Sequence, residues 1–173
     1  HGYHLRVADA SLGGEFPVMS VTLINPKDGS VFASFGAHPS FEVALERTVT
    51  ELLQGRSLDQ LDVFHPPTFD QDEVASPANL EMHFIDSSGY ISNDFFRETP
   101  DYDFFDWDHD NATDDEFRYL TDKIHGLGFD IYIADYNHLD VYACRILVPG
   151  MSDIYPVDEL VWENNNEGAL FRK

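Results

Sequence analysis

The stretch FGAHPSFEVALERTVTELLQGR, residues 35–56, constrains this chain more than any other. Pro39 bars a helix from starting earlier, since proline has no N–H to donate and its ring crowds the preceding turn. Ser40 follows as an N-cap whose hydroxyl can accept a free first-turn N–H. Glu42 then sits in the first turn, where the positive end of the helix dipole favours a carboxylate. Gly55 supplies the stop. The pattern predicts an amphipathic helix with Phe41, Leu45, Val49, Leu52 and Leu53 as its core stripe. Ala44, Thr48 and Gly55 form a neighbouring strip of small residues. Beside that strip lie Arg47 and Glu51, four apart and therefore adjacent on a helix. Two readings of the pair stand: an exposed ion pair on an ordinary core helix, or an Arg and a Glu offered to a ligand.

The flanking sequence supplies a sheet for this helix. Val18 to Ile24 is a β-branched run of period two and reads as a strand. Asn25-Pro26-Lys27-Asp28-Gly29 is a turn, and Val31 to Phe35 is the second arm of a hairpin that leads into the helix. Tyr3 to Val7 reads as a further strand, followed by a turn at Ser11-Leu12-Gly13-Gly14. Ser57 to Asp72 reads as irregular, with Pro66-Pro67 forcing extended backbone. Ser76-Pro77 opens a second helix, serine as cap and proline at the first helical position, with Leu80 and Phe84 inward. Ile91 to Phe96 reads as a short helical segment. Thr113 and Glu116 fit a capping box for a helix that carries Phe117, Leu120 and Ile124 inward and ends at Gly126. Ile131 to Tyr136 and Val141 to Val148 are two more strands, joined across Asn137–Asp140. A short helix is expected at Pro156 to Glu163. Hairpins alternating with helices give an α+β fold, a mostly antiparallel sheet with helices packed against it, as one domain over residues 1–173.

Composition narrows the partners. With 173 residues and 43% hydrophobic content the chain can bury a core. Only 10 Lys and Arg face 32 Asp and Glu, a formal net charge of -22. A phosphate backbone or an anionic membrane surface needs basic patches, so nucleic acid and membrane are excluded as direct partners. Cations or a basic protein suit this charge better. No apolar run reaches the length of a membrane span. The single cysteine, Cys144, excludes an intrachain disulfide and points to a reducing, cytoplasmic setting. The first residue is His1, so the chain reads as a piece of a longer protein.

No rival site emerges along the chain. Asp106–Asp110 starts like a calcium loop, but Asn111 stands where the glycine is needed and Phe117 where the glutamate is needed. The eight histidines form no zinc pattern. His38 reads as part of the turn before Pro39. Cys144 lies among Val141, Ala143 and Ile146 and reads as a buried strand cysteine. Phosphate-loop, dinucleotide and serine-elbow motifs do not occur, and no catalytic residue is assigned.

The opening stretch resembles the C-terminal half of the YcaO domain, in which a small-residue turn and His-Pro precede a helix of the form ALxRxxxExxQxR. Ser11–Gly14, Leu61–Phe64, His83–Gly89, Tyr132–Tyr136 and Ile146–Pro156 are similar to stand-alone bacterial members of that family, and Asp101–Asp115 matches most loosely. The resemblance implies a protein that uses ATP and Mg²⁺ to activate a backbone amide of a peptide. It implies an incomplete half of a larger domain, inactive by itself, because the family's other nucleotide ligands come from the N-terminal half. It carries the family's nucleotide-site Arg and Glu onto Arg47 and Glu51, with Glu51 also a metal ligand. The group it most resembles is implicated in β-methylthiolation of a ribosomal protein together with a radical-SAM methylthiotransferase.

Three functions follow as expectations. The first is an ATP-dependent amide-activating enzyme, with Arg47 and Glu51 exposed toward a concave surface. The second is a non-catalytic accessory module that recruits a protein partner, such as a basic ribosomal protein. The third is a structural domain with a surface ion pair. A homodimer is a further expectation.

Overall fold

Turn chemistry at Asn25–Gly29 folds the two β-branched runs onto each other, with Asn25 N–H donating to the Ser30 carbonyl at 2.9 Å and Gly29 in the left-handed region at φ 76°. The computed structural model describes residues 2–57, 64–86, 88–107, 113–137 and 140–151. They group into two compact units, His1–Asp110 and Asn111–Lys173. The architecture is α+β, with antiparallel sheets and helices.

In the first unit β1 (His4–Asp9), β2 (Val18–Ile24) and β3 (Val31–Ala37) form an antiparallel sheet in that order. The chain leaves β3 through His38-Pro39-Ser40 and enters α1 (Phe41–Leu53). Val21, Leu23, Phe32, Leu52 and Phe64 make one core cluster, and Met19, Ala44 and Trp107 make another. Phe32 and Phe64 stack with ring centroids 4.5 Å apart.

The helix is rolled relative to the sequence reading. Its buried residues are Ala44, Thr48 and Leu52, while Val49 and Leu53 are 40% and 38% exposed. The small strip, expected on the flank, faces the sheet. The cause is Gly36. A Cβ there would lie 2.6 Å from the Thr48 nitrogen, so the helix backbone rests directly on the strand. Small residues permit that approach; Leu45 still packs, half-buried, against the first core cluster, and Val49 and Leu53 are turned aside. Ser40 is the N-cap residue, but its side chain makes no capping bond. His38 serves the turn instead, its Nδ1 accepting from the Ser40 N–H at 3.0 Å.

Two features lie in stretches read differently from sequence. At the end of the segment read as irregular, Ser57 to Asp72, and running just past it, α2 (Gln71–Val74) forms one turn, with Asp70 accepting from the N–H groups of Asp72 and Glu73. Trp107, in the stretch that starts like a calcium loop, is buried against Phe41 with centroids 5.4 Å apart, and its Nε1 donates to the His38 carbonyl at 3.3 Å. Residues 108–112 lie outside the described residues. The helix α3 (Pro77–Asp86) starts as its Ser-Pro signal predicts, Ser76 Oγ accepting from the Asn79 N–H at 3.1 Å. A 3₁₀ turn, Asn93–Phe96, follows, and Arg6 donates to the Phe95 carbonyl at 3.1 Å.

In the second unit α4 (Thr113–Gly126) precedes β4 (Tyr132–Tyr136) and β5 (Ala143–Leu147), an antiparallel pair. Thr113 is the first helical residue described, and the residue before it lies outside the described residues. Phe117 and Leu120 are exposed, and so is Cys144, against the expectation of burial. All five residues of each strand are exposed, so apolar neighbours in sequence did not become a covering layer. The helix expected at Pro156–Glu163 lies outside the described residues. Among the described residues no helix is long and apolar enough to cross a membrane.

Candidate functional site

The roll of α1 decides where its charges go. Residues advance 100° each around a helix, so seating Ala44 and Thr48 on Gly36 turns Arg47 and Glu51 toward the β3 side. Both are exposed, and both line a groove of about 970 Å³. Residues 33–37 of β3 border the same groove. Its remaining lining comes from Val74, from His83 on α3, and from Tyr90, Ile91, Ser92 and Phe95.

The lining opposite α1 is held by a buried polar side chain. Asn79 is 3% exposed. Its amide nitrogen donates to the carbonyls of Val74 and Tyr90, each at 3.0 Å, and its Oδ1 accepts from the Tyr90 N–H at 2.6 Å. His83 Nε2 lies 3.0 Å from the Tyr90 carbonyl, and the His65 ring stacks on the Tyr90 ring at 4.6 Å. Ser92 Oγ accepts from the Gln71 side chain at 2.9 Å and from the Asp94 N–H at 3.1 Å. These bonds fix the groove's polar groups to the scaffold.

Arg47 and Glu51 are different. No ion pair joins them, so the surface pair that their spacing offers is not made. Among the described residues the Arg47 guanidinium has no hydrogen-bond or ion-pair partner. Glu51 accepts from the Gln54 amide at 2.6 Å when that amide is oriented nitrogen-first. The groove thus presents one cation and one carboxylate with acceptor capacity to spare. Among the described residues no group of three or more His, Cys, Asp or Glu gathers as a metal site. Sequence reasoning found the Arg/Glu pair but not His83, Tyr90 or Ser92 as neighbours, because only tertiary folding brings residues 83–95 beside residues 33–51.

Comparison with known proteins identifies the family of the chain. The family model described as YcaO cyclodehydratase, ATP- and Mg²⁺-binding, matches residues 1–152. The chain belongs to the YcaO family. It is 58% identical over 172 residues to the ribosomal protein S12 methylthiotransferase accessory factor YcaO of Escherichia coli. It is 60% identical over 172 residues to an uncharacterized protein of Haemophilus influenzae. Each match takes in 99% of this YcaO chain, which spans 29% of the length of either relative.

Proposed function

We propose that this chain is part of an ATP- and Mg²⁺-dependent protein that activates a peptide backbone amide, with Arg47 and Glu51 as its contribution to the nucleotide site. The observation that carries the reading is the state of that pair. In a family described as ATP- and Mg²⁺-binding, an Arg and a Glu line one groove exposed and without pairing to each other. Bound ATP would supply the phosphoryl group that makes an amide oxygen a leaving group. Arg47 would hold phosphate oxygens through its planar fork of donors. Glu51 would give one oxygen ligand to Mg²⁺, an ion that takes one or two carboxylates and completes its shell with water and phosphate oxygens. One carboxylate fits that requirement, the remaining positions being open to phosphate oxygens and water. The charge of Arg47 offsets phosphate repulsion from so acidic a chain.

The test is Mg²⁺-dependent ATP binding and turnover by the protein at its natural length, comparing wild type with Arg47→Ala and Glu51→Ala. Loss in both variants, with the fold intact, supports the assignment. Wild-type turnover in both refutes it.

A second reading is favoured by the name of the E. coli relative, an accessory factor. In it the chain recruits a protein partner of the S12 methylthiotransferase reaction, the basic ribosomal protein or the methylthiotransferase, and nucleotide chemistry is secondary. Opposite charge suits a basic partner. Tight partner binding that survives Arg47→Ala and Glu51→Ala, without peptide-dependent turnover, distinguishes it.

A further inference from the structure

Among the described residues the groove also contains a stretch of unused ladder edge. Strand β3 is, among the described residues, an edge strand of its sheet. Its pairing with β2 is bracketed by the Asn25–Ser30 bond and by His38 N–H donating to the Pro17 carbonyl at 3.0 Å. Antiparallel ladders alternate hydrogen-bonded and non-bonded pairs. With Leu23 opposite Phe32, Val21 opposite Ser34 and Met19 opposite Gly36, the even-numbered residues of β3 aim their N–H and C=O at β2. Val31, Ala33, Phe35 and Ala37 therefore aim theirs outward. Val31 is used: its N–H donates to the His65 carbonyl at 3.0 Å. An extended segment thus already pairs with this edge at its start. That segment then departs, Thr68 pairing in parallel with Ser92. Among the described residues, the outward groups of Ala33, Phe35 and Ala37 meet no backbone or side-chain partner, and all three residues line the groove.

We propose that this edge binds an extended, basic peptide segment of a protein substrate as an added fourth strand. The occupant rests on the peptide-acting reading above; the place rests on the ladder alone. Main-chain bonds to an open edge give affinity, and alternate side chains give selectivity. On a strand laid along residues 33–37, one set of side chains faces Glu51 and Arg47. The other set faces Phe35 and Phe95, whose rings meet edge-on at 6.2 Å. Continuity with the Val31–His65 pairing sets the line of entry. The excess of 32 acidic over 10 basic residues selects a basic segment over an acidic one.

The experiment uses the natural-length protein without nucleotide. Its probes are a short synthetic peptide alternating lysine with valine or threonine, and a counterpart with glutamate for lysine. Binding of the lysine peptide should slow amide exchange at Ala33, Phe35 and Ala37, and the glutamate peptide should bind more weakly. N-methylation of the peptide should weaken binding about tenfold at alternate positions only, the cost of one lost hydrogen bond with a clash. Phe35→Pro should weaken it similarly, because proline at an outward N–H spares the ladder to β2. The N-methyl series decides the matter even if Phe35→Pro fails to fold. Equal effects at all positions, no protection, or amides already protected before peptide is added (a strand of the protein itself on the edge) each overturn the proposal. Absent peptide binding alongside intact, peptide-stimulated ATP turnover overturns the edge but not the amide-activating reading. Absence of both overturns both.

Discussion

Ser34 Oγ donates to the backbone carbonyl of Thr48 at 2.7 Å, tying β3 to α1 one strand step from the point where Gly36 carries the helix. The acceptor is mid-helix, and Thr48 Oγ1 in turn donates to the Ala44 carbonyl at 2.7 Å. Both bonds are buried, so they are made away from competing water. Strand and helix meet through backbone and hydroxyls rather than through large side chains, and this contact sets the position of Arg47 and Glu51.

Gly36→Ala should therefore be among the most damaging small changes available. The added methyl meets helix backbone, which has no rotamer to yield. Overpacking of this kind costs about 1–3 kcal/mol. Urea denaturation should show the loss, and an unchanged midpoint would contradict the contact.

Asn79→Ala should cost about 1–3 kcal/mol, since it removes a buried side chain and leaves the part-buried Tyr90 N–H without its acceptor. The damage should also reach the groove through Tyr90. Denaturant melts measure the first effect, and altered exchange at the Tyr90 amide measures the second.

Arg47→Ala and Glu51→Ala should each leave stability within about 0.5 kcal/mol of wild type, because both side chains are exposed and not paired to each other. Matched melting curves beside lost nucleotide binding would separate a ligand role from a structural one. A large stability loss in either variant would favour the structural role.

Tyr142 provides a pH test in the second unit. Its hydroxyl donates to Asp135 Oδ1 at 2.8 Å. That bond and the carboxylate's charge raise the phenol above its ordinary value of 10.0. A folded-state value that is raised gives a stabilising contribution fully present below the unfolded value and lost as pH climbs through the folded one. Tyrosinate absorbance should appear later than for an unperturbed tyrosine, and Asp135→Asn should bring it earlier. No change on Asp135→Asn would remove the bond as the cause.

The elements that were legible in sequence are those with local causes. The β2–β3 hairpin follows from a β-branched period and an Asp-Gly turn. The start of α3 follows from Ser76-Pro77, whose cap bond is made as read. The Arg47/Glu51 edge followed from helical spacing, and both residues line the groove. The roll of α1 was not legible, because apolar residues counted around one helix cannot register a glycine on a neighbouring strand. Trp107 was hidden in a run of aspartates, and its burial depends on Phe41, far away in sequence. Cys144 and Phe117 were read by their neighbours' polarity, whereas burial depends on a second layer that adjacent residues do not specify.

The contact at Gly36 has a consequence for selectivity. Two backbones in direct touch have no side-chain conformations to exchange, so α1 cannot slide or turn on the sheet to suit an incoming molecule. What the sheet fixes is the backbone from which Arg47 and Glu51 project; the two exposed side chains keep their own rotamers. The floor of the groove is thus set before anything binds, and whatever adjustment an incoming molecule needs is made by the guanidinium and the carboxylate alone.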